Sequence, residues 1–284
     1  SLAMSETLDR AIEANDYDGV WTAVDANPAL ATLVLAQDCE AKSRQNAALA
    51  LREHIGVQEL QDHCPTVASL DARRFLRARQ LDTRKAHTLL AADVAWRTDY
   101  KPTEVTQANI PIALPTGCWR ALGMTSSGFP VLWIQVSLWN PGLYSLEEYV
   151  FMVVYFLERL TRMGERFIVL FDMAGWRMSH ALQLRKVGAL IKTLQEHYPE
   201  RLEAARLLHT PGIFSAAWKL IKPLIDPVTA AKVGFVASGD EKAALEAVAI
   251  PAELIPSSYG GPLDVTAIPV PNLPDETNIT IISY

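Results

Sequence analysis

The side chains best able to do chemistry are thinly spread. The six histidines, His54, His63, His87, His180, His197 and His209, include no pair at i, i+4, and Cys39, Cys64 and Cys118 form no Cys-x-x-Cys, so zinc-ligand spacing is missing. There is no Gly-x-Ser-x-Gly elbow to expose a nucleophile. Nor is there a Gly-x-x-x-x-Gly-Lys-Ser/Thr loop or Gly-x-Gly-x-x-Gly turn to bring backbone amides to a phosphate. No cysteine is followed six residues on by the arginine that a phosphate-cradling thiolate loop needs. One stretch does combine charge with an unusual apolar pattern. Between Tyr198 and Phe235 come an acidic turn, Tyr198-Pro199-Glu200-Arg201, a Pro211-Gly212 break and an amphipathic helix stopped by Pro223. On a helical wheel Ile213, Phe214, Ala217, Trp218, Ile221, Leu224 and Ile225 share one arc, with Ser215, Lys219 and Lys222 opposite. A carboxylate such as Glu200 accepts hydrogen bonds from hydroxyls, and an ammonium neutralises phosphate. The expected chemistry is binding rather than catalysis, with no enzyme activity, no metal and no cofactor.

Composition sets the frame for that site. The chain has 284 residues, half of them hydrophobic, and a net charge of −6. A core of useful size follows, whereas a generally basic surface for nucleic acid does not. Three unpaired-looking cysteines suit a reducing compartment, and no apolar run approaches the roughly 20 residues of a spanning helix. The expectation is a cytoplasmic protein that touches membranes transiently and locally. Asn278-Ile279-Thr280 fits a glycosylation acceptor but has no secretory context.

The elements needed to position the site read off in order. Ser5 to His63 is helical and acidic, carrying Glu6, Asp9, Glu13, Asp16 and Asp18 among others, and several short helices are expected there as an accessory lobe. Its charge is a solvated face or a docking surface for a protein partner. Pro65-Thr66 should start the next helix, where arginines dominate; Phe75, Leu76, Leu89, Leu90, Val94 and Trp96 supply the buried sides of a hairpin. Cys118 to Met124 and Phe129 to Val136 read as strands joined by Thr125-Ser126-Ser127-Gly128. Ser145 with Glu148 signals a helix start, and the helix that follows is apolar nearly all round. Arg166 to Phe171 is a continuous apolar strand, of the kind covered on both faces. A helix from Ser179 to His197, a strand at Ala205 to His209, the amphipathic helix, a strand at Lys232 to Val236 and a helix within Gly239 to Ala249 complete an α/β layer pattern with a mostly parallel sheet. Ile279 to Tyr284 reads as an added edge strand.

Several motifs in one order now carry a resemblance. Arg74-Phe75-Leu76-Arg77, Gly128-Phe129-Pro130-Val131, Phe171-Asp172-Met173-Ala174-Gly175, Tyr198-Pro199-Glu200-Arg201, Lys222-Pro223-x-x-Asp226-Pro227-x-Thr229 and Tyr259-Gly260-Gly261 together make the sequence similar to CRAL-TRIO lipid-binding domains. Within these it most resembles the phosphatidylinositol/phosphatidylcholine transfer branch known from yeast. The resemblance runs from about Leu70 to Gly261. It implies a three-layer α/β fold with a hydrophobic pocket and a mobile gate helix, preceded by a helical lobe. The boundaries expected are 1–65 for the acidic accessory segment, 66–105 for the family's helical lobe, 106–265 for the lipid-binding domain and 266–284 for a tail.

The resemblance also implies roles. The bound ligand would be phosphatidylinositol or a similar phospholipid, carried without catalysis, its headgroup held by Glu200 and Lys222 with Arg74 and Lys219 as further cations. The gate would be Ile213 to Leu224, with Ile213, Phe214, Ala217, Trp218 and Ile221 facing the ligand or the bilayer. Pocket lining would come from Val131, Trp133, Ile134, Phe167, Val169 and Phe171 on strands and from Phe151, Val154 and Tyr155 on a helix. Two alternatives stay open: a carrier of another hydrophobic ligand such as a sterol, tocopherol or retinoid, and a lipid-sensing adaptor that recruits a partner through the acidic lobe. Two departures matter. Phe167, Ile168 and Val169 stand where choline-lipid binders have small hydroxyl residues, which weighs against phosphatidylcholine exchange. His209 stands where relatives often carry Asn.

Overall fold

The computed structural model describes residues 2–35, 42–271 and 273. Cys39, the glycosylation-like triplet and the expected edge strand at Ile279 to Tyr284 lie outside them. The chain forms two compact units, Ser1–Ala95 and Trp96–Tyr284.

The first unit is all helical. α1 (Leu2–Glu13), α2 (Tyr17–Ala26) and α3 (Ala29–Leu35) precede α4 (Lys42–His63). With 22 residues α4 is a long helix, not one of the short ones expected. α2 starts at Asp16, whose carboxylate accepts from the Gly19 amide, as the Asp-x-x pattern before an apolar run allows. Leu8, Ile12, Val20, Val24 and Leu51 form its core. α5 (Ser69–Arg77) begins later than Pro65: Gln61 donates to the Val67 carbonyl and accepts from the Ser69 hydroxyl, which holds residues 64–68 as a turn. α6 (Thr83–Tyr100) follows. Val57 and Leu60 of α4 share a core with Phe75 and Leu76 of α5 and with Leu90. The junction expected after residue 65 therefore falls within one packed unit.

The second unit is built on a five-stranded sheet in the order β1 (Trp119–Met124), β2 (Pro130–Gln135), β3 (Phe167–Asp172), β4 (Leu202–Leu208), β5 (Val233–Phe235). The first pair is antiparallel and the rest are parallel. Between strands lie α7 (Leu146–Met163), α8 (Met178–Ala181), α9 (Leu184–His197), α10 (Phe214–Ile221) and α11 (Pro227–Ala231), with α12 (Glu241–Glu246) after the last strand. Ser145 caps α7 by accepting from the Glu148 amide, as expected. The Glu148 carboxylate instead accepts the Ile112 and Ala113 amides, tying the preceding turn to the helix. The single helix expected over Ser179 to His197 is broken: α8 ends at Ala181, and Leu182 is left 81% exposed.

Strand alternation divides the core. Leu132, Ile134, Phe167, Val169 and Ala205 face α7 and α9. Val131, Trp133, Ile168, Leu170, Ala204 and Leu208 face the opposite way, against Leu245 of α12 and the closing segment with Ile250, Ile255 and Tyr259.

Candidate lipid-binding site

The Tyr198 to Arg201 turn is held rigidly from beneath. The Tyr198 hydroxyl donates to Glu158 Oε1 at 2.7 Å, and Arg97 donates to the same oxygen at 2.9 Å. Arg201 donates to the Glu165 carbonyl at 2.7 Å. Burial lowers the pKa of the Arg201 guanidinium from its usual range, partly offset by the nearby Glu165 carboxylate. Glu200 then sits at φ 57°, a left-handed backbone that a glutamate seldom adopts. That turn presents its carboxylate to Lys232, whose Nζ donates at 3.2 Å. Both side chains are four-fifths buried, 19% and 21% exposed.

Lys232 is placed by the Asp-Pro-x-Thr motif. Asp226 caps α11 by accepting from the Thr229 amide, and Pro227 supplies the pre-set first turn. Burial pushes the Asp226 carboxyl up, but the hydrogen bonds from Thr229, Gln195 and Val228 together leave the group below the usual range. One residue past α11, the Lys232 carbonyl accepts from the Ala205 amide at 3.0 Å and from Arg206 at 3.2 Å, fixing it to β4. Sequence reasoning missed this lysine because it looks only at neighbours in the chain. The separation of 32 positions between Glu200 and Lys232 is closed by the parallel pairing of β4 with β5.

The other expected headgroup residues are placed differently. Lys222 follows α10 and is exposed, and it is Lys232, not Lys222, that meets Glu200. Lys219 is likewise exposed. Arg74 belongs to the first unit, where it is buried and paired with Asp71 three residues earlier on α5.

The helix expected as the gate is present, but its apolar arc is split. Phe214 and Ala217 are buried against Val136, Met173 and Leu207, with Trp218 and Ile221 half-buried at the margin of that cluster. Ile213 and Leu220 face solvent at 55% and 60% exposure, and Leu224 is exposed as well. Trp176 meets Phe214 edge-on at 5.3 Å, and Phe235 meets Trp218 at 5.1 Å, an aromatic seam along which the helix is seated. Of the expected lining, Ile134, Phe167, Val169, Val154 and Tyr155 share the face under α7, and Phe171 packs against both that cluster and the one under α10. Phe151 borders the same cluster, next to Tyr100 at 5.6 Å. Trp133 and Val131 do not belong with them. At period two they point to the α12 face, where Trp133 lies edge-on to Tyr259 at 5.8 Å.

A buried amine that the sequence did not signal lies on the α7 face. Lys186 of α9 donates to the carbonyls of Pro141 and Tyr144, and burial lowers its pKa from the ordinary value. Among the described residues, no group of three or more His, Cys, Asp or Glu side chains is arranged to hold a metal, and no helix is long and apolar enough to cross a membrane.

The CRAL/TRIO domain model matches residues 115–261, and the chain belongs to that family. Phosphatidylinositol transfer protein CSR1 of Eremothecium gossypii is 29% identical over 204 residues, covering 66% of this chain and 46% of that protein. The chain thus matches about half of that relative's length. SEC14 cytosolic factor of Candida glabrata is 28% identical over 215 residues, 68% of this chain and 70% of its own. Alpha-tocopherol transfer protein-like of Mus musculus is 28% identical over 197 residues, 66% and 57%. The crystal structure of Sfh5 superposes with a TM-score of 0.57 over 70% of this chain and 76% of its own at 15% identity, a likeness of fold.

Proposed function

We propose that the chain binds phosphatidylinositol, or a phospholipid like it, and transfers it between membranes without catalysis, α10 acting as the gate. The observation that carries this reading is the divided helix. Phe214 and Ala217 seat α10 on the sheet while Ile213 and Leu220 stay in solvent, between Pro211-Gly212 and Pro223. A helix held by so narrow a stripe can swing on its two hinges. Burying roughly 25 cal/mol per Å2 of exposed apolar side chain in a headgroup layer offsets the cost of lifting Phe214 and Ala217 off the sheet. Met178 and Leu182, also exposed, widen that apolar surface beside the cluster that contains Ala181. Lys219 and Lys222 would lie among anionic headgroups, which suits their exposure better than a pocket role.

For the headgroup, the Glu200–Lys232 pair is the stronger candidate. The contact uses one of three ammonium protons, leaving donors for a phosphate, while the carboxylate retains lone pairs for ring hydroxyls. The relative named as a phosphatidylinositol transfer protein supports this ligand class. The tocopherol-type relative supports the second reading, a headgroup-free ligand on the same scaffold. Transfer of labelled phosphatidylinositol from donor to acceptor vesicles tests the proposal. Transfer that Glu200→Ala abolishes supports it, and equal transfer by both proteins overturns the headgroup assignment.

A further inference from the structure

Two buried donors without a hydrogen-bond partner among the described residues lie side by side on the α7 face, the Trp139 indole N–H and the Tyr144 hydroxyl. β2 ends at Gln135, a short helical turn covers Val136–Leu138, and the loop from Trp139 to Tyr144 leads to the Ser145 cap of α7. Tyr144 is 6% exposed; burial, followed by the nearby Cys118 thiol, pushes its phenol above the ordinary value. The Trp139 indole beside it pulls the other way, yet the two close no hydrogen bond. Tyr144 thus keeps its proton and has no acceptor for it.

Lys186 joins them from α9. It too is 6% exposed, and its Nζ lies 4.5 Å from the centre of the Tyr144 ring and 6.0 Å from that of Tyr149. The Pro141 and Tyr144 carbonyls take two of its three protons. No carboxylate pairs with it among the described residues; Glu148 acts from farther off, its Oε1 taken by the Ile112 and Ala113 amides. Burying an ammonium without an opposite charge is costly. Ammonium and indole can only donate, and the phenol has its proton to give. Such a set of donors selects a group made of acceptors, and the uncompensated cation selects a negative one.

The place of these residues in the fold says what that group is attached to. Tyr144 and Tyr149 share a cluster with Ile134, Phe167 and Val169 of the expected lining, and Trp139 packs against both that cluster and the one under α10. Helices start at the carboxyl ends of the parallel strands and finish at the amino ends. Lys186, in the first turn of α9, and Glu200, just past its last, therefore stand at opposite edges of the sheet. The 14 residues of α9 span about 21 Å, room for one acyl chain, since two end to end fill the roughly 30 Å core of a bilayer. We propose that Lys186, Tyr144 and Trp139 form a second, anion-accepting subsite, across the lining from Glu200–Lys232, that takes the ionised group of a single-chain lipid acid. The carboxylate of a free fatty acid and the phosphate of a lysophosphatidate both supply that chemistry. The subsite rests on the proposed use of this face for a lipid, and not on the headgroup pair.

Equilibrium binding of oleate, oleoyl-lysophosphatidate and methyl oleate to the delipidated full chain tests this, because the three share a chain and differ in charge. The wild type should bind at least one of the acids about tenfold or more tighter than the ester, since hydrogen bonds to charged groups are the strong ones. The acid preferred, oleate or lysophosphatidate, identifies carboxylate or phosphate as the natural group. Lys186→Met keeps an unbranched side chain without the charge, and it should lose the preference while still binding the ester. Tyr144→Phe removes only the orphaned hydroxyl; it should weaken acid binding roughly fivefold with a melting temperature close to the wild type, and it decides the matter if Lys186→Met fails to fold. Equal binding of acids and ester by the wild type, no binding of any of the three, or an acid-to-ester ratio unchanged in the substituted proteins overturns the subsite. Phosphatidylinositol transfer is measured on the same preparation. Transfer without an acid preference removes the subsite and leaves the proposed function standing; an acid preference without transfer does the reverse.

Discussion

Glu200 shows how a single residue can carry a site. Its left-handed backbone is flanked by the anchored Tyr198 and Arg201, and its carboxylate is given to Lys232, one residue past α11. Hydrogen bonds to charged groups contribute about 1.5–3 kcal/mol, so Lys232→Ala should weaken phosphatidylinositol binding roughly tenfold or more. Lys222→Ala should change it less than about twofold, because that ammonium is exposed and apart from the pair. Equilibrium binding of a fluorescent phosphatidylinositol by the two variants separates these outcomes. Cys118 makes a second residue-scale prediction. Burial pushes its thiol up to about 12, so at pH 8 it should resist alkylation in the folded protein and react only after denaturation, as peptide mapping by mass spectrometry would show.

At the scale of elements, α10 binds the sheet through Phe214 and Ala217, flanked by Trp218 and Ile221, and meets solvent with Ile213 and Leu220, so its two faces should respond differently to substitution. Phe214→Ala removes a buried aromatic worth about 3 kcal/mol or more, so exchange of the α10 amides should accelerate roughly a hundredfold. Leu220→Glu, on the exposed side, should leave stability within about 0.5 kcal/mol yet reduce sedimentation with vesicles. The strands of the sheet were legible as short, mostly apolar runs bounded by turn residues, although β4 starts at Leu202 rather than Ala205 because Glu203 and Arg206 interrupt its apolar pattern, and α7 and α10 were legible because their caps and stops are written beside them. Helix lengths were less legible. α4 runs on through Gly56 with no Pro to stop it, and the interruption at Leu182 has no Pro or Gly to announce it. Facing was the least legible property. Trp133 and Phe167 are equally apolar, and only strand pairing, in which Val131 sits opposite Ile168, shows that they serve opposite sides of the sheet. The Glu200–Lys232 contact was hidden for the same reason, since sheet register, not spacing in the chain, brings its members together.

Taken as a whole molecule, the second unit has one sheet face under α12 and the closing turn, and another shared between α7, α9 and a helix that its neighbours hold lightly. A ligand bound only by the folded form should stabilise it by mass action, by about 2.7 kcal/mol at a hundredfold excess over its dissociation constant, and so raise the melting temperature. The most direct test of the lipid-carrier reading exposes the purified protein to a mixed cellular lipid extract, then recovers the bound lipid for mass spectrometry, with Lys232→Ala treated in parallel. The account predicts phosphatidylinositol enriched on the wild type and lost from the variant. A sterol, a tocopherol or no lipid at all, alike on both proteins, would contradict it.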